Sequence, residues 1–188
     1  MITESMSLFK YIEDLGIKGV QIFEPRIFDD HRGSVTKVFN YSAYSEKGLE
    51  NEWKEMLVTD NRIMGTIRGF HFQKPPYEQA KIMIVSRGEI YIWLVDIRKG
   101  SDTYGKVAGT KIDSVRKRFI YIPVGVANAY QVIMNDTQVI YLLSNEYNED
   151  AATGILWSSL GLDPIIDNTV VSEKDLMLPQ WSSFSSPF

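Results

Sequence analysis

From Val20 onward, apolar stretches of four to eight residues alternate with clusters of Gly, Pro, Asn and Asp. Many short strands at that spacing point to an all-β sandwich or barrel. The strand candidates are VQIFEP (20–25), SVTKVFN (34–40), EMLVTDN (55–61), GTIRGFHFQ (65–73), KIMIVSRG (81–88), EIYIWLVDIR (89–98), GKVAGTKID (105–113), RFIYIPVG (118–125), ANAYQVIM (127–134) and TQVIYLLSN (137–145). Turn residues punctuate them at KPPY, SRGE, RKGSDTYG, PVGVAN and MNDT, and several of these gaps fit hairpins. A closed double sheet of jelly-roll type hides the edges of so many strands. Helix is expected only toward the ends. SLFKYIEDLG (7–16) has a Ser start, a Gly stop and apolar residues at 8, 11, 12 and 15, while SAYSEKGLENEW (42–53) and SEKDLM (172–177) allow a turn or two each. The expectation is a single domain over 1–188, with residues 1–19 an N-terminal extension and WSSFSSPF (181–188) a mobile tail.

Composition narrows the chemistry. A 44% apolar chain of 188 residues can bury one sizeable core. The absence of cysteine rules out disulfides, thiolate metal sites and a cysteine nucleophile. Two histidines, His31 and His71, are too few for a histidine-rich metal centre. The net charge of −4 is spread without a basic patch, so no nucleic-acid partner is indicated. No apolar run reaches the roughly 18 residues of a membrane span, and the N-terminus lacks the order of a secretory signal. A soluble, cytoplasmic protein acting on a small molecule is expected.

One stretch concentrates polar function: GTIRGFHFQKPPYEQAK (65–81). Strand alternation puts Ile67, Gly69, His71 and Gln73 on one side, with Lys81, Met83 and Val85 sharing a side of the next strand, so His71 and Lys81 can meet across the pair. A lysine in an apolar strand suggests a polar cavity inside the sandwich. Arg68 has the opposite parity and joins that cavity only if Gly69 marks a bulge. Tyr141 can aim its hydroxyl inward, and Asp175 lies in a polar turn that can fold back. Removing a proton beside a ketone needs a base, a donor for the enolate oxygen and an acid, and histidine, lysine and tyrosine fill those roles. Inverting a carbon also places base and acid on opposite faces of the substrate. An aspartate on the histidine's other nitrogen would fix its tautomer. Against this stand ordinary uses: His31 reads as a solvated turn residue, and Tyr91, Trp93, Phe119 and Tyr121 as core.

The pieces IFEPRIFDDHRG (22–33), TDN (59–61), IRGFHFQKPPYEQAK (67–81), RGEIYIWLVDIRKGSDTYGK (87–106), YIPVGVANAY (121–130), VIYLLSNEY (139–147), GILW (154–157) and SEKD (172–175) resemble, in order and spacing, the dTDP-4-dehydrorhamnose 3,5-epimerases. That resemblance implies a metal-free, cupin-like jelly roll without cofactor. It implies a homodimer that inverts carbons beside the 4-keto group of a nucleotide-linked 6-deoxyhexose, in deoxysugar and polysaccharide biosynthesis. It implies His71 as base, Asp175 as its dyad partner, Lys81 as the enolate's donor and Tyr141 as the acid. Tyr147 resembles a second active-site tyrosine. Arg32, Arg68 and Lys174 fall on positions for the diphosphate or nearby substrate oxygens, Asp60 and Asn61 near the nucleotide, and Gln73 in the Gln-x-Pro-Pro motif.

Three departures bear on the substrate. Lys37 stands where the family usually has a glutamate, Thr59 replaces a nucleotide-contacting glutamine, and Asn128 stands for a substrate-binding histidine, beside a shorter loop between Asn61 and Arg68. A lysine suits cytosine, which presents an acceptor where thymine and uracil present an N–H. A CDP-linked 4-keto-3,6-dideoxyhexose 5-epimerase is therefore an alternative, as are a sugar-nucleotide 3,4-ketoisomerase and a non-catalytic binding module on the same scaffold.

Overall fold

A computed structural model describes residues 8–13 and 15–188. The chain runs β1 (Phe9–Glu13), β2 (Gln21–Pro25), β3 (Ile27–Asp30), β4 (Gly33–Thr36), α1 (Tyr41–Glu46), β5 (Glu55–Asn61), β6 (Thr66–Gln73), β7 (Lys81–Arg87), β8 (Glu89–Asp96), β9 (Val107–Asp113), β10 (Phe119–Ile122), β11 (Val126–Val132), β12 (Thr137–Leu143), β13 (Ala152–Gly154), β14 (Val170–Val171) and α2 (Glu173–Leu176). One sheet has the order β1-β2-β10-β7-β12-β5 and the other β13-β6-β11-β8-β9, with β14 parallel to β6. The β3–β4 hairpin forms a small sheet of its own. This is the expected jelly-roll sandwich. No helix among the described residues is long and apolar enough to cross a membrane.

The central strands bury both faces. All residues of β10 and β11 are buried. Along β7, Met83 and Val85 join the cluster between the sheets, with Ile92, Leu94, Val132 and Val139, whereas Ile82 joins Phe9, Phe23, Tyr44 and Phe119 in a separate cluster. Ala127 and Ala129 of β11 likewise belong to a third cluster, with Phe70, Phe72, Trp93 and Trp157. Strands covered on both faces read as continuous apolar runs rather than alternating ones.

Most of the short turns are corners between sheets, not hairpins. β6 and β7, β7 and β8, β10 and β11, and β11 and β12 lie in opposite sheets, so consecutive strands face each other across the core. At the β7–β8 corner Gly88 has φ +84°, and a Cβ there would lie 2.9 Å from the Thr137 Cβ, so the site requires glycine. The RKGSDTYG segment does join a true antiparallel pair, β8–β9. It is tied to buried Asp96, whose carboxylate accepts from Arg98 Nε at 2.8 Å, Ser101 Oγ at 2.6 Å and Thr103 Oγ1 at 2.6 Å. Burial alone would raise that carboxyl, but these hydrogen bonds hold it well below the ordinary carboxylate range.

Both ends depart from expectation. The segment expected as a helix over 7–16 contains β1, antiparallel to β2; Ser7, its expected start, lies outside the described residues, as do the rest of 1–7 and Asp14. Phe9 is buried against Phe119 (5.4 Å between ring centroids) and Tyr44 (5.7 Å), while Tyr11 is exposed. Pairing with the open edge of β2 outweighs a helix too short to stand alone. Residues 181–188 are packed rather than mobile. Trp181 and Phe184 stack at 5.6 Å, Phe72 meets Phe184 at 5.8 Å and Phe188 at 6.0 Å, and Ser186 Oγ donates to the Ile97 carbonyl. The two other expected helical turns are α1 and α2, capped by Asn40 and Ser172.

Candidate active site

A cavity of about 490 Å³ opens between the sheets, a size suited to a small-molecule ligand. Its walls include His71 and Arg68 from β6, Lys81 from β7, Tyr141 from β12, Asn128 from β11, and Asp175 from α2.

The β6 wall depends on a bulge. His71 pairs with Asn128 and Arg68 with Tyr130, so three steps along β6 span two along β11. Gly69 occupies the extra step at φ +108°, where a Cβ would lie 2.8 Å from Ala129 Cα. The irregularity reverses parity, and Arg68 and His71 reach the same cavity.

His71 is half-exposed, and its Nε2 lies 2.8 Å from Asp175 Oδ1. Nδ1 is left as the ring nitrogen that Asp175 does not hold. The second carboxylate oxygen accepts from Gly69 N at 3.2 Å, and the Asp175 N–H is capped by Ser172. Burial would raise Asp175, but hydrogen bonding and charge from His71, with Gly69 and Ser172, hold it below its usual value.

Lys81 faces His71 across the sandwich instead of beside it, because β6 and β7 belong to different sheets. Only 7% exposed, its Nζ donates to Asn128 Oδ1 at 2.7 Å and to the His71 carbonyl at 3.1 Å. An ammonium has three donors, so one remains for a ligand. Burial lowers this amine to about 8. Tyr141, 8% exposed, has its phenol raised well above the ordinary tyrosine value by burial, with Tyr130 adding to the rise and Arg68 partly offsetting it. It therefore stays protonated at neutral pH.

Thr59, Gln73, Tyr147 and Lys174 also line the cavity. Gln73 spends its amide on backbone, donating to the Tyr77 and Glu146 carbonyls at 2.7 and 3.1 Å and accepting from Asn148 N at 2.7 Å. Asn61 is buried beneath Arg68 and accepts from its Nε at 2.8 Å. Besides Asn61, three expected site residues lie off this cavity. Arg32 is exposed on the β3–β4 turn and paired with Asp30 at 2.7 Å, and Lys37 is exposed just after β4, because this hairpin stands apart from both sheets of the sandwich. Asp60 points outward because β5 alternates, and it accepts from Gln138 Nε2 at 2.9 Å. His31 is exposed in the same turn as Arg32.

Two features went unread in the sequence, one on the cavity wall and one in the core behind it. Glu55 shares the inward parity of Thr59, and its Oε2 accepts the Tyr147 N–H at 2.7 Å. Tyr130 is wholly buried, with its hydroxyl 3.1 Å from Thr59 Oγ1 and 3.2 Å from Asn61 Oδ1. A phenol within an apolar strand needs a partner, and that was the available signal. Among the described residues no group of three or more His, Cys, Asp or Glu is disposed to hold a metal ion.

A jelly roll enclosing a His–Asp pair, a buried amine and a protonated phenol around one cavity fits a class: small-molecule enzymes whose pocket carries acid and base groups. Comparison with known proteins makes the assignment specific. Residues 14–183 match the family model of dTDP-4-dehydrorhamnose 3,5-epimerase, and the chain belongs to that family of isomerases. The dTDP-4-dehydrorhamnose 3,5-epimerase of Shigella flexneri is 36% identical over 166 residues, 85% of this chain and 90% of that protein. The dTDP-4-dehydrorhamnose 3,5-epimerase of Bacillus anthracis, solved with TDP and PPi bound, has a TM-score of 0.87 at 32% identity, covering 92% of this chain and 99% of its own. The dTDP-6-deoxy-D-glucose-3,5-epimerase of Legionella pneumophila, solved in complex with dTDP-4-keto-L-rhamnose, has a TM-score of 0.87 at 26% identity, covering 94% and 95%.

Proposed function

We propose that this epimerase inverts the carbons flanking the 4-keto group of a dTDP-linked 6-deoxyhexose. The carrying observation is the arrangement around one cavity: the His71–Asp175 pair on one side, the Tyr141 phenol on the other, and an uncommitted N–H of Lys81 between the two sheets. His71 removes the proton next to the carbonyl. Asp175, kept ionised by its hydrogen bonds, stabilises the imidazolium that results. Lys81 donates to the oxygen that gains charge, and Tyr141 returns a proton to the opposite face. Arg68, Lys174 and Tyr147 line the same cavity and serve the diphosphate and sugar, Arg68 by the fork geometry that suits phosphate oxygens. Thr59 and Asn128 take up substrate contacts from the walls, and Asn61 and Gln73 shape them from behind.

A homodimer is part of the proposal. Ile27, Phe28 and Val35 of the β3–β4 hairpin are exposed, as are Met56 and Val58 of the edge strand β5. Such apolar surface is suited to a second copy. In this reading the hairpin of one copy serves the cavity of the other, which gives Arg32 and Lys37 access to substrate. The site of action is the cytoplasm, where nucleotide sugars are formed. The test is incubation with dTDP-4-keto-6-deoxyglucose in deuterated water, followed by NMR. Label at C3 and C5 of an epimerised product supports the proposal; an unchanged, unlabelled substrate refutes it.

A further inference from the structure

Two carboxylates line the cavity, Asp175 and Glu55. Asp175 spends its oxygens on His71 and Gly69, whereas Glu55 gives Oε2 to the Tyr147 N–H at 2.7 Å and, among the described residues, meets no donor at Oε1. One acceptor is therefore left for a ligand. Its place in the sheet says which part of the ligand that is. Glu55 pairs with Leu143 and Leu143 with Lys81, so the three form one row across β5, β12 and β7. At about 4.8 Å per strand, the Glu55 and Lys81 backbones are about 10 Å apart. Along β5 the inward residues run from Glu55 through Leu57 to Thr59, and the strand ends at Asn61, which accepts from Arg68 Nε at 2.8 Å. At about 3.4 Å per residue, that anchor of Arg68 is about 20 Å from Glu55 along the strand. We propose that Glu55 is a specificity residue: its second oxygen accepts the 3-hydroxyl of the keto sugar, beside the carbonyl oxygen that Lys81 holds.

Charge and ring geometry lead to that hydroxyl. A diphosphate is drawn to Arg68 and repelled by a carboxylate, so the substrate lies with its phosphates at the Asn61 end of the wall and its sugar toward the Glu55 row. The sugar carries its diphosphate on C1, which leaves C4 and its carbonyl, across the ring, as the part that reaches the row. Of the two carbons beside that carbonyl, C3 bears a hydroxyl and C5 a methyl group. A donor and an acceptor on either side of Leu143 match a carbonyl oxygen and the hydroxyl next to it. Glu55 moves no proton; it orients the ring and reads the substituent. A 3,6-dideoxyhexose lacks this donor and would leave the carboxylate oxygen to water.

This inference rests on the proposed epimerase reading, so wild type is measured beside the variants. The readout is kcat/KM for inversion at C5, a centre shared by dTDP-4-keto-6-deoxyglucose and its 3-deoxy analogue. Wild type should favour the 3-hydroxy sugar by about 10- to 100-fold, the effect of one hydrogen bond to a charge. Glu55→Leu should bring that ratio to about 1. Glu55→Gln keeps the shape and an oxygen for the Tyr147 N–H but not the charge, and should leave the ratio between those two values. A residue that only anchors the Tyr147 loop would lower both substrates alike, and glutamine would restore both. A wild type that does not discriminate, or a ratio unchanged in both variants, overturns this inference alone. A wild type that inverts neither sugar overturns the reading beneath it as well.

Discussion

Replacing Lys81 with methionine separates the cost of burying this amine from its use. Burial depresses the Lys81 amine from 10.5 to about 8. Between those values the unfolded chain binds more protons than the folded one, so wild-type stability rises with pH across that window. The penalty is fully present below about pH 8 and has gone by about pH 10.5. In total it amounts to about 3 kcal/mol, at about 1.4 kcal/mol for each pH unit of depression. About 2 kcal/mol of it is relieved between about pH 7 and about pH 9.5. Methionine removes the penalty at every pH. It also removes the donor from Asn128 Oδ1 and the His71 carbonyl, but both border the open cavity, where water costs them about 1 kcal/mol or less each, independently of pH. The expected result is a variant more stable than wild type near pH 7 by about 1–3 kcal/mol, its advantage shrinking by about 2 kcal/mol near pH 9.5. Urea unfolding of both proteins at the two pH values, with equal slopes, measures this directly. Epimerisation by the same variant should fall about 10²- to 10³-fold in kcat. A stability difference that is the same at both pH values would refute the argument that desolvation of a charged amine is being borne for function.

Three further outcomes follow from the geometry. Gly69→Ala forces a side chain into the β6 bulge at φ +108° and onto the β11 backbone, and should cost about 2–4 kcal/mol in a denaturation experiment and displace Arg68 from the cavity. Phe184→Ala empties the contact between Trp181 and Phe72 and should cost about 2–3 kcal/mol by the same measurement, whereas a mobile tail would leave stability unchanged. In a thermal-shift panel dTDP should raise the melting temperature more than CDP, as the proposed dTDP-linked substrate requires; a larger rise with CDP would mean that Lys37, delivered by the partner copy's hairpin, selects cytosine.

Strand existence was legible because the apolar runs and their Gly, Pro and Asn breaks are local signals. Sheet membership was not. The same KPPY or MNDT turn serves a hairpin or a corner, and only the packing of two layers decides between them. β13 and β14, at three and two residues, carry no periodicity, and both take their strand character from pairing with β6. Over 7–16 the apolar spacing fits a helix, but the free edge of β2 decides for strand. In the site, Gly69 made a bulge conceivable and the pairing register reports one, which is what brings Arg68 beside His71. Arg32 and Lys37 show the converse: a motif fixes which residues belong together along the chain, but not that one copy's cavity holds them. Tyr130 was hidden in ANAY by its neighbour Asn128, because nothing local says that its hydroxyl reaches across the sandwich to Thr59.

The most direct test of two groups acting from opposite faces compares His71→Asn with Tyr141→Phe in deuterated water. With the base removed, neither wash-in of label nor inversion should remain. With the acid removed, His71 should still take and return protons on its own face, so label enters C3 or C5 with retention while the inverted product disappears. Inverted product formed by Tyr141→Phe at the wild-type rate, or label entering through His71→Asn, would contradict the account.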